Sequence, residues 1–460
     1  MQDLKNLSNN RRAPWFSHKN TAVNRRLPTA GARPKLKLSL PEGKRLTHLK
    51  HLLLFLAIIL ALTPVCLLVL HQAPRAVTRI TAWLRTNSSP EPKLAEAARP
   101  PASNAFATAS SLLTDAVPDG EHLSARTDNG NTILYSVQGN LQKSVHDFMA
   151  EKQVPYGVFV AVEPATGRLL AMTAYSSVDP QWSRNSFFDL YPMASLFKIV
   201  TASAALEHRK ITPDTVVEFR GNAYSENPRY WEASPRGRNN RMDVSYAMGK
   251  SINPVYGRVA ANIAGKELVL ESARKFGFNQ ALLPGTPAKE SKATDPQTSH
   301  DLMRMGAGLD HDVKISPLHA AVMMAAIANN GRMMAPSLAD KLLDTDGKVL
   351  EAHNPREIRR LVSPETASSL AKMLAQTVTQ GTSRKAFHDR QGRPRLNIDI
   401  AAKTGSINGT DPQGHYSWFA AYAPIKNPRI ALVALVINQD KWKIKSSQVG
   451  EKALSEFFDQ

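Results

Sequence analysis

The chain has 460 residues, with 58 Lys and Arg against 39 Asp and Glu, 42% hydrophobic residues and a single cysteine. This composition is that of a globular protein with a basic excess, and it excludes a disordered chain, a collagen and a disulfide scaffold. Since Cys66 has no second cysteine to pair with and no Cys/His cluster has zinc spacing, neither a structural metal nor a redox dithiol is expected.

Residues 51–71 are predicted to form one transmembrane anchor. The uncharged run from Leu52 to Leu70 would give a helix of about 28 Å, close to the thickness of a bilayer core. A cleaved signal peptide is the alternative, but its apolar run is shorter, roughly 7 to 15 residues, and follows a short leader.

The basic tail at residues 1–50 sets the expected orientation of this anchor. It holds twelve Lys and Arg but only two acids, so the positive-inside rule keeps it in the cytoplasm and exports the rest of the chain. The tail also carries about half of the net charge of +19, so the basic excess does not call for nucleic-acid binding. We expect a topology signal here, with anionic lipid or a cytoplasmic partner as the alternative role.

Residues 72–130 are Ala/Pro/Ser-rich, lack a sustained apolar period and are predicted to be a linker. The globular domain is expected at residues 131–460. Its first helix is predicted from the apolar face of Leu141, Val145, Phe148 and Met149.

Apolar runs in this domain predict strands, and a last apolar-periodic segment predicts a helix. The strand runs form two pairs, each joined by a turn, and the expected elements are residues 158–162 with 169–174, residues 418–423 with 430–437, and a closing helix over 449–458. The expected fold class is α+β, an antiparallel sheet packed with helices.

A Ser-x-x-Lys pair, Ser195 and Lys198, opens a helical stretch of the sequence. At a spacing of three residues, the hydroxyl and the amine share one helix face, as a weak serine nucleophile with a proton-accepting amine requires. Alone the pair is a weak signal, since Ser369 and Lys372 repeat it. We interpret the second pair as the surface of a helix.

Two later motifs distinguish the two pairs. Ser251 and Asn253 form a Ser-x-Asn motif, and a Lys-Thr-Gly motif begins at Lys403. The ordered set of Ser-x-x-Lys, Ser-x-Asn and Lys-Thr-Gly resembles that of penicillin-binding proteins and serine β-lactamases. Only the pair at Ser195 lies before the Ser-x-Asn motif, as this order requires.

The resemblance covers roughly residues 131–445. The segments VAVEPATGRLLAM, GAGLDHDVKISPLHAA, IANNGRMMAPSL, TVTQGT and SWFAAYAP are all similar to parts of the transpeptidase domain of penicillin-binding proteins. Ala194 stands where the family usually has glycine, and Ser406 stands where threonine is common. The resemblance implies the penicillin-binding transpeptidase fold behind a single N-terminal transmembrane helix.

The resemblance also implies roles for the motif residues. Ser195 would attack the bond between two terminal D-alanines of a peptidoglycan stem peptide, with Lys198 as the base. Ser251 would relay the proton to the leaving amine, and Asn253 would hold Lys198. Lys198 must be neutral to act as base, and we expect the nearby cation Lys403 to lower its pKa.

The Lys-Thr-Gly motif would bind the substrate. Lys403 with the Thr404 and Ser406 hydroxyls would receive the terminal carboxylate, beside Gly405. Backbone N–H groups of Ser195 and Ser406 would form the oxyanion hole. The family's mechanism uses no metal and no other cofactor, and β-lactams would inhibit the protein.

The function that this resemblance implies is a D,D-transpeptidase of the monofunctional class B type. The alternatives are a D,D-carboxypeptidase, a β-lactamase or β-lactam sensor, and a non-enzymatic wall scaffold. The domain would lie outside the cytoplasm at the cell membrane. A membrane glycan polymerase is an expected partner, and the chain is too short before residue 131 for a glycosyltransferase domain of its own.

Other residues have weaker signals. Tyr224, Tyr230 and Trp231 lie in a polar stretch between the first two motifs, and we expect ordinary packing rather than contact with the cleft. His311 and His319 lack a glutamate at metalloprotease spacing and are expected to be structural.

Overall fold

The computed structural model describes residues 105–120, 122–439 and 442–459, which belong to one compact unit spanning residues 99–460. The basic tail, the expected anchor at residues 51–71 and the first part of the expected linker lie outside the described residues. Within the described ranges, no helix is both long and apolar enough to cross a bilayer.

The described chain mixes α-helices and strands along its sequence, with four helices in succession between residues 244 and 307. A 3-10 turn, Ala194–Leu196, leads directly into the third helix, and a π-helical turn, Val259–Ala264, follows the fifth. In chain order the helices are α1 (Ala105–Leu112), α2 (Gly139–Glu151), α3 (Phe197–Glu207), α4 (Val244–Lys250), α5 (Asn253–Arg258), α6 (Lys266–Lys275), α7 (Ser299–Ala307), α8 (Pro317–Ala328), α9 (Pro364–Thr379), α10 (Arg384–Phe387) and α11 (Ser446–Phe458).

The strands form two five-stranded sheets and three two-stranded ones within the described ranges. In chain order they are β1 (Val117–Asp119), β2 (His122–Arg126), β3 (Thr132–Tyr135), β4 (Tyr156–Val162), β5 (Leu169–Tyr175), β6 (Tyr191–Pro192), β7 (Val216–Phe219), β8 (Asn240–Asp243), β9 (Lys314–Ile315), β10 (Arg332–Met334), β11 (Ala339–Leu343), β12 (Val349–Ala352), β13 (Glu357–Arg360), β14 (Ala401–Thr410), β15 (Gln413–Ala423) and β16 (Ile430–Asn438).

The main sheet has the strand order β14-β15-β16-β4-β5, and all its pairs are antiparallel. Alternate residues of a strand point to opposite faces, so Val158 and Val160 join the larger core while Phe159 and Ala161 join the second. Side chains of α2 and α11 complete the second core, and those of α8 belong to the first. This confirms the expected α+β fold with an antiparallel sheet covered by helices.

The apolar runs predicted the strands of this sheet closely. The runs at residues 158–162 and 169–174 lie in β4 and β5, and those at 418–423 and 430–437 lie in β15 and β16. The closing helix begins at Ser446, slightly before the predicted start, because Ser446 is already buried against Ser417 of β15.

The prediction that the linker extends to residue 130 is wrong. Residues 105–130 include α1, β1 and β2, and these strands extend a small sheet of order β1-β2-β3-β11-β12. The physical reason is local packing: Ala109 and Leu113 are buried, and the Tyr135 hydroxyl donates a hydrogen bond of 2.8 Å to the Ala109 carbonyl. A helix of eight residues that buries only Ala109 leaves too weak an apolar pattern to read in sequence.

Residues 105–130 are therefore expected to resist limited proteolysis together with the main domain. A nonspecific protease acting on the whole protein should give a stable fragment that begins near Ala105. Tyr135→Phe removes the hydrogen bond to Ala109 and should expose this region to cutting sooner, since such a bond contributes about 1 kcal/mol. A stable fragment beginning near Thr132 would instead support a linker that extends to residue 130.

Candidate active site

Three segments that are distant in sequence meet at one place in the fold. Ser195 lies in the turn that opens α3, Ser251 and Asn253 lie at the junction of α4 and α5, and Lys403 lies on β14. The strand β14 is an edge of the main sheet, so one side of it is free to border a cleft. The structure thus brings together the residues that the three motifs singled out.

Lys198 is fully buried and makes three hydrogen bonds with its amine. Its Nζ lies 2.7 Å from Ser195 Oγ and 2.9 Å from Asn253 Oδ1, and it also donates to the carbonyl of Ala307. Two of these partners can only accept a hydrogen bond, whereas the serine hydroxyl can accept or donate. A neutral amine has two N–H groups for the two acceptors and a lone pair for the serine proton. Proton transfer between Ser195 and Lys198 therefore requires no rearrangement of these partners.

The Ala307 carbonyl is available because α7 ends there. The last carbonyls of a helix have no partner within the helix, and the C-terminal end carries partial negative charge. Gly308 caps the helix in the left-handed conformation at φ +72°. The end of α7 is thus suited to hold the amine of Lys198.

Gly308 also lies directly behind the nucleophile. A Cβ at Gly308 would lie 2.1 Å from the Ala194 carbonyl oxygen and 2.8 Å from the Ser195 nitrogen. Ala194 itself has φ +54°, a conformation that costs a residue with a side chain about 1 kcal/mol. The family's usual glycine at this position is therefore explained by backbone conformation.

Gly308→Ala is expected to slow acylation by a β-lactam by about tenfold or more. The added methyl group must push the Ala194–Ser195 peptide away, and small misplacements of a nucleophile have large effects on rate. Gly347→Ala is the matched control, because Gly347 has φ +81° but nothing within 4 Å of its added Cβ. Both variants carry the conformational strain, so only a difference in the acylation rate constant reports the contact with Ala194.

The second lysine, Lys403, is also fully buried and lies on the strand side of the site. Its Nζ donates to Ser251 Oγ at 2.8 Å and to the Thr404 carbonyl at 2.7 Å. The Thr404 hydroxyl lies 2.5 Å from that of Thr382. Gly405 follows, with the position of a Cβ only 3.1 Å from Ala194 Cβ, so a side chain there would crowd the nucleophile.

Close backbone approaches place Ser251 beside this strand. Ser251 ends α4 in the left-handed conformation at φ 58°, and Gly249 two residues earlier packs against Gln376 near the end of α9. A Cβ at Gly381 would lie 2.2 Å from the Gly249 carbonyl, and Thr382 donates its N–H to the same oxygen at 3.0 Å. The loop after α9 thereby fixes both Ser251 and Thr382.

Burial is the main cause of the unusual acidity of the two lysines. It holds the pKa of Lys198 well below its usual 10.5, and the charge of Lys403 lowers this pKa further. Burial likewise lowers the pKa of Lys403 to about 7. The sequence predicted Lys403 as the cause of the pKa shift of Lys198; the structure corrects this, because the removal of the Lys198 amine from water has the larger effect.

Several site contacts could not be found from the motifs. Ala307 contributes only a backbone carbonyl, and Ser225 likewise accepts a hydrogen bond of 3.3 Å from Asn253 Nδ2. Thr382 belongs to the segment TVTQGT, whose similarity to the family was the only available signal. The second Ser-x-x-Lys pair lies on α9, where Ser369 is half-buried and Lys372 is exposed.

The aromatic and histidine residues with weaker signals differ in how deeply their side chains are buried. Tyr224 and Tyr230 are exposed, whereas Trp231 is fully buried against helix side chains. His319 is buried between Ser291 Oγ at 2.6 Å and the Phe276 carbonyl at 2.8 Å, and burial lowers its pKa to about 4. His311 is exposed. Over the described ranges, no cluster of three or more His, Cys, Asp or Glu side chains could hold a metal ion.

The family is settled by comparison with known proteins. Residues 157–458 match the family model of the penicillin-binding protein transpeptidase domain. This chain belongs to that family. The three motifs and the lysine geometry described above therefore lie within a penicillin-binding transpeptidase domain.

Curated relatives of this transpeptidase domain are similar over about two thirds of the chain. The peptidoglycan D,D-transpeptidase PbpA of Mycolicibacterium smegmatis is 25% identical over 351 residues, which is 69% of this chain and 69% of the relative. The protein of the same name from Mycobacterium tuberculosis is 27% identical over 356 residues, 69% of this chain and 70% of the relative.

Solved structures show the same fold at lower identity. The imipenem acyl-enzyme complex of penicillin-binding protein A from M. tuberculosis has a TM-score of 0.60 at 23% identity, covering 71% of this chain and 80% of that one. The D,D-transpeptidase domain of a peptidoglycan glycosyltransferase from Eggerthella lenta has a TM-score of 0.61 at 22% identity, covering 76% and 90%.

Proposed function

We propose that this protein is a peptidoglycan D,D-transpeptidase that joins stem peptides through a serine acyl-enzyme. The observation that carries the proposal is the amine of Lys198, which lies 2.7 Å from Ser195 Oγ with its other two hydrogen-bond positions occupied by acceptors. This is the arrangement of a nucleophile with its general base. Relatives named peptidoglycan D,D-transpeptidase support the same reaction.

In the first half-reaction, Ser195 Oγ bonds to the carbonyl carbon of the penultimate D-alanine. Its proton passes to Lys198, which burial keeps neutral enough to accept it. Backbone N–H groups of Ser195, in the turn that opens α3, and of Ser406, on the edge strand β14, stabilise the oxyanion. The C–N bond then breaks, and the terminal D-alanine leaves as an amine that takes up a proton through Ser251.

The donor peptide lies along the edge strand β14 in this proposal. Lys403 and the hydroxyls of Thr404 and Ser406 receive its terminal carboxylate, and the absence of a side chain at Gly405 allows the close approach. Thr382 shares a hydrogen bond with Thr404, so we add it to the carboxylate site. An extended peptide that adds to a sheet edge satisfies backbone groups that β14 leaves unpaired on that side.

In the second half-reaction, an amine of another stem peptide attacks the ester carbonyl. The new C–N bond forms as the bond to Ser195 Oγ breaks, and a proton from the amine returns to the serine through the lysine. Water in place of the amine gives a carboxypeptidase. A β-lactam enters the first half-reaction in the same way but leaves a stable ester on Ser195.

Product masses from a defined substrate test the proposal. The whole protein is incubated with a stem peptide ending in D-Ala-D-Ala, with and without an amino acceptor. A transpeptidase gives the peptide-linked product and free D-alanine when the acceptor is present. A product shortened by one alanine in both reactions would indicate a carboxypeptidase, and no product would contradict the catalytic assignment.

We further propose that residues 52–70 anchor the protein in the cell membrane with the domain outside the cytoplasm. The basic tail before this run supports the orientation. We therefore expect activity from a C-terminal fusion to a reporter that functions only outside the cytoplasm. A C-terminal fusion to a reporter that functions only in the cytoplasm should be inactive.

A membrane glycan polymerase is the proposed partner of this protein. Co-purification of the intact protein from detergent-solubilised membranes tests this proposal.

A further inference from the structure

The indole of Trp231 packs against two helices that carry hydrogen-bond partners of Lys198, the proposed base. It is fully buried in a small cluster with Met303, Ala307 and Leu309, which belong to α7 and the residues after it. The ring also contacts α5, where a Cβ at Gly257 would lie 2.3 Å from it. The ring thus packs against both helices, which also meet directly beside it, since the same Cβ at Gly257 would lie 3.1 Å from the Met303 carbonyl oxygen.

These two helices supply two of the three hydrogen-bond partners of Lys198. Asn253 is the first residue of α5, and Gly257 lies four residues later on the same helix face. Ala307 ends α7 and belongs to the same buried cluster as Trp231, while its carbonyl accepts from Lys198. Trp231 therefore packs against both of the helices that place Asn253 Oδ1 and the Ala307 carbonyl around Lys198.

The loop that precedes Trp231 adds a third link. The Trp231 carbonyl accepts a hydrogen bond of 3.3 Å from the Arg220 N–H, which closes the loop of residues 221–230. Within that loop, the Ser225 carbonyl accepts from Asn253 Nδ2 at 3.3 Å. This contact fixes which way the Asn253 amide points, because its nitrogen faces Ser225 and its oxygen faces Lys198.

We propose that Trp231 is a positioning residue that holds Asn253 and the Ala307 carbonyl at the spacing required by Lys198. The proposal rests on the proposed function of Ser195 and Lys198. Trp231 is fully buried, so it acts through these neighbours without touching substrate.

Saturation kinetics of acylation by a fluorescent penicillin separate positioning from binding. We measure the apparent dissociation constant and the acylation rate constant of the whole protein for the wild type, Trp231→Leu and Trp231→Phe. In Trp231→Leu the rate constant should fall about 10- to 100-fold, the effect of a misplacement of about 1 Å, while the dissociation constant changes little. Trp231→Phe should recover most of the rate because a flat ring still packs against both helices.

A second pair of variants keeps the test valid if Trp231→Leu folds poorly. Gly257→Ala places a methyl group against the indole and should also lower the rate constant. Combined with Trp231→Leu, the methyl group fills part of the vacated space, so the double variant should be faster than either single variant. Such an interaction between two substitutions is expected only for residues in contact.

Phe159→Leu is the control for general loss of stability. Phe159 is fully buried in the second core, on the other face of the main sheet. This variant should lower the melting temperature and the labelled fraction but leave the acylation rate constant of the folded protein unchanged.

Two results would overturn the proposal. One is an unchanged rate constant in Trp231→Leu, and the other is a weakened dissociation constant with the rate constant unchanged, which would make Trp231 part of the ligand pocket. Lack of any labelling in the wild-type protein would instead contradict the proposed function itself.

Discussion

Ser195→Ala is expected to abolish covalent labelling by a fluorescent penicillin, and Lys198→Met is expected to slow it by about 10²- to 10⁴-fold. The first variant removes the nucleophile, the Ser195 hydroxyl oxygen that lies 2.7 Å from Lys198 Nζ. The second removes the amine that accepts its proton. Methionine has nearly the length of lysine and needs no solvation. Because Lys198 is fully buried and its amine donates to Asn253 Oδ1 and the Ala307 carbonyl, Lys198→Met leaves these acceptors without a partner, so its melting temperature should fall below that of the wild type.

The control is the second Ser-x-x-Lys pair of the same chain. Ser369→Ala and Lys372→Met make the same chemical changes on α9, where Lys372 is exposed. Both variants should label at the wild-type rate. Labelling that survives in Ser195→Ala, or that is lost in Ser369→Ala, would contradict the assignment of the nucleophile.

The difference between these two pairs shows what the sequence could predict. The spacing alone could not separate them, since both lie on helices with serine and lysine on one face. Ser195 was identified because it precedes Ser251 and Lys403 in the chain, which is the order in which the three motifs of the family occur. Strands of the main sheet were predictable for a different reason: β4, β16 and the C-terminal half of β15, residues 418–423, are buried on both faces and form apolar runs.

Backbone groups of the site were not predictable in the same way. Every residue has a carbonyl, and only the end of α7 makes that of Ala307 available to Lys198. The physical cause of the lysine pKa shifts was also hidden. Lysine is almost never fully buried, so a sequence gives no reason to expect that two lysines in one site are.

The small sheet was missed because its parts are separated in sequence. β1, β2 and β3 come before the main sheet begins, whereas β11 and β12 come from a hairpin more than 200 residues later. β1 and β12 are strands of three and four residues that are exposed along their whole length, so they show no alternation of apolar and polar residues. Pairing between β3 and β11 supplies the stability that neither segment shows alone.

The burial of Lys403 predicts a pH dependence that distinguishes its role from that of Lys198. The pKa of Lys403 is about 7 in the free protein, so its charge is present below this pH and is lost above it. Lys198 must be neutral to accept a proton, so its contribution to the rate rises with pH. For a substrate with a terminal carboxylate, kcat/KM should therefore rise with the deprotonation of Lys198 and fall as the pH passes about 7.

Lys403→Gln should lower kcat/KM by about 10²- to 10³-fold, since a buried charge paired with a carboxylate contributes several kcal/mol. Glutamine does not titrate, so the fall near pH 7 should disappear. The rise should move to higher pH, because removing the positive charge of Lys403 raises the pKa of Lys198. It should still lie well below pH 10.5, since burial is the larger cause of the shift.

Two further variants separate these effects. Lys403→Arg keeps a positive charge at every accessible pH, so it should lose the fall near pH 7 while the rise stays close to its wild-type position. Lys372→Gln removes an exposed lysine and should leave the whole profile unchanged. A fall near pH 7 that persists in Lys403→Gln would show that another group causes it. An unmoved rise in the same variant would show that burial alone sets the pKa of Lys198.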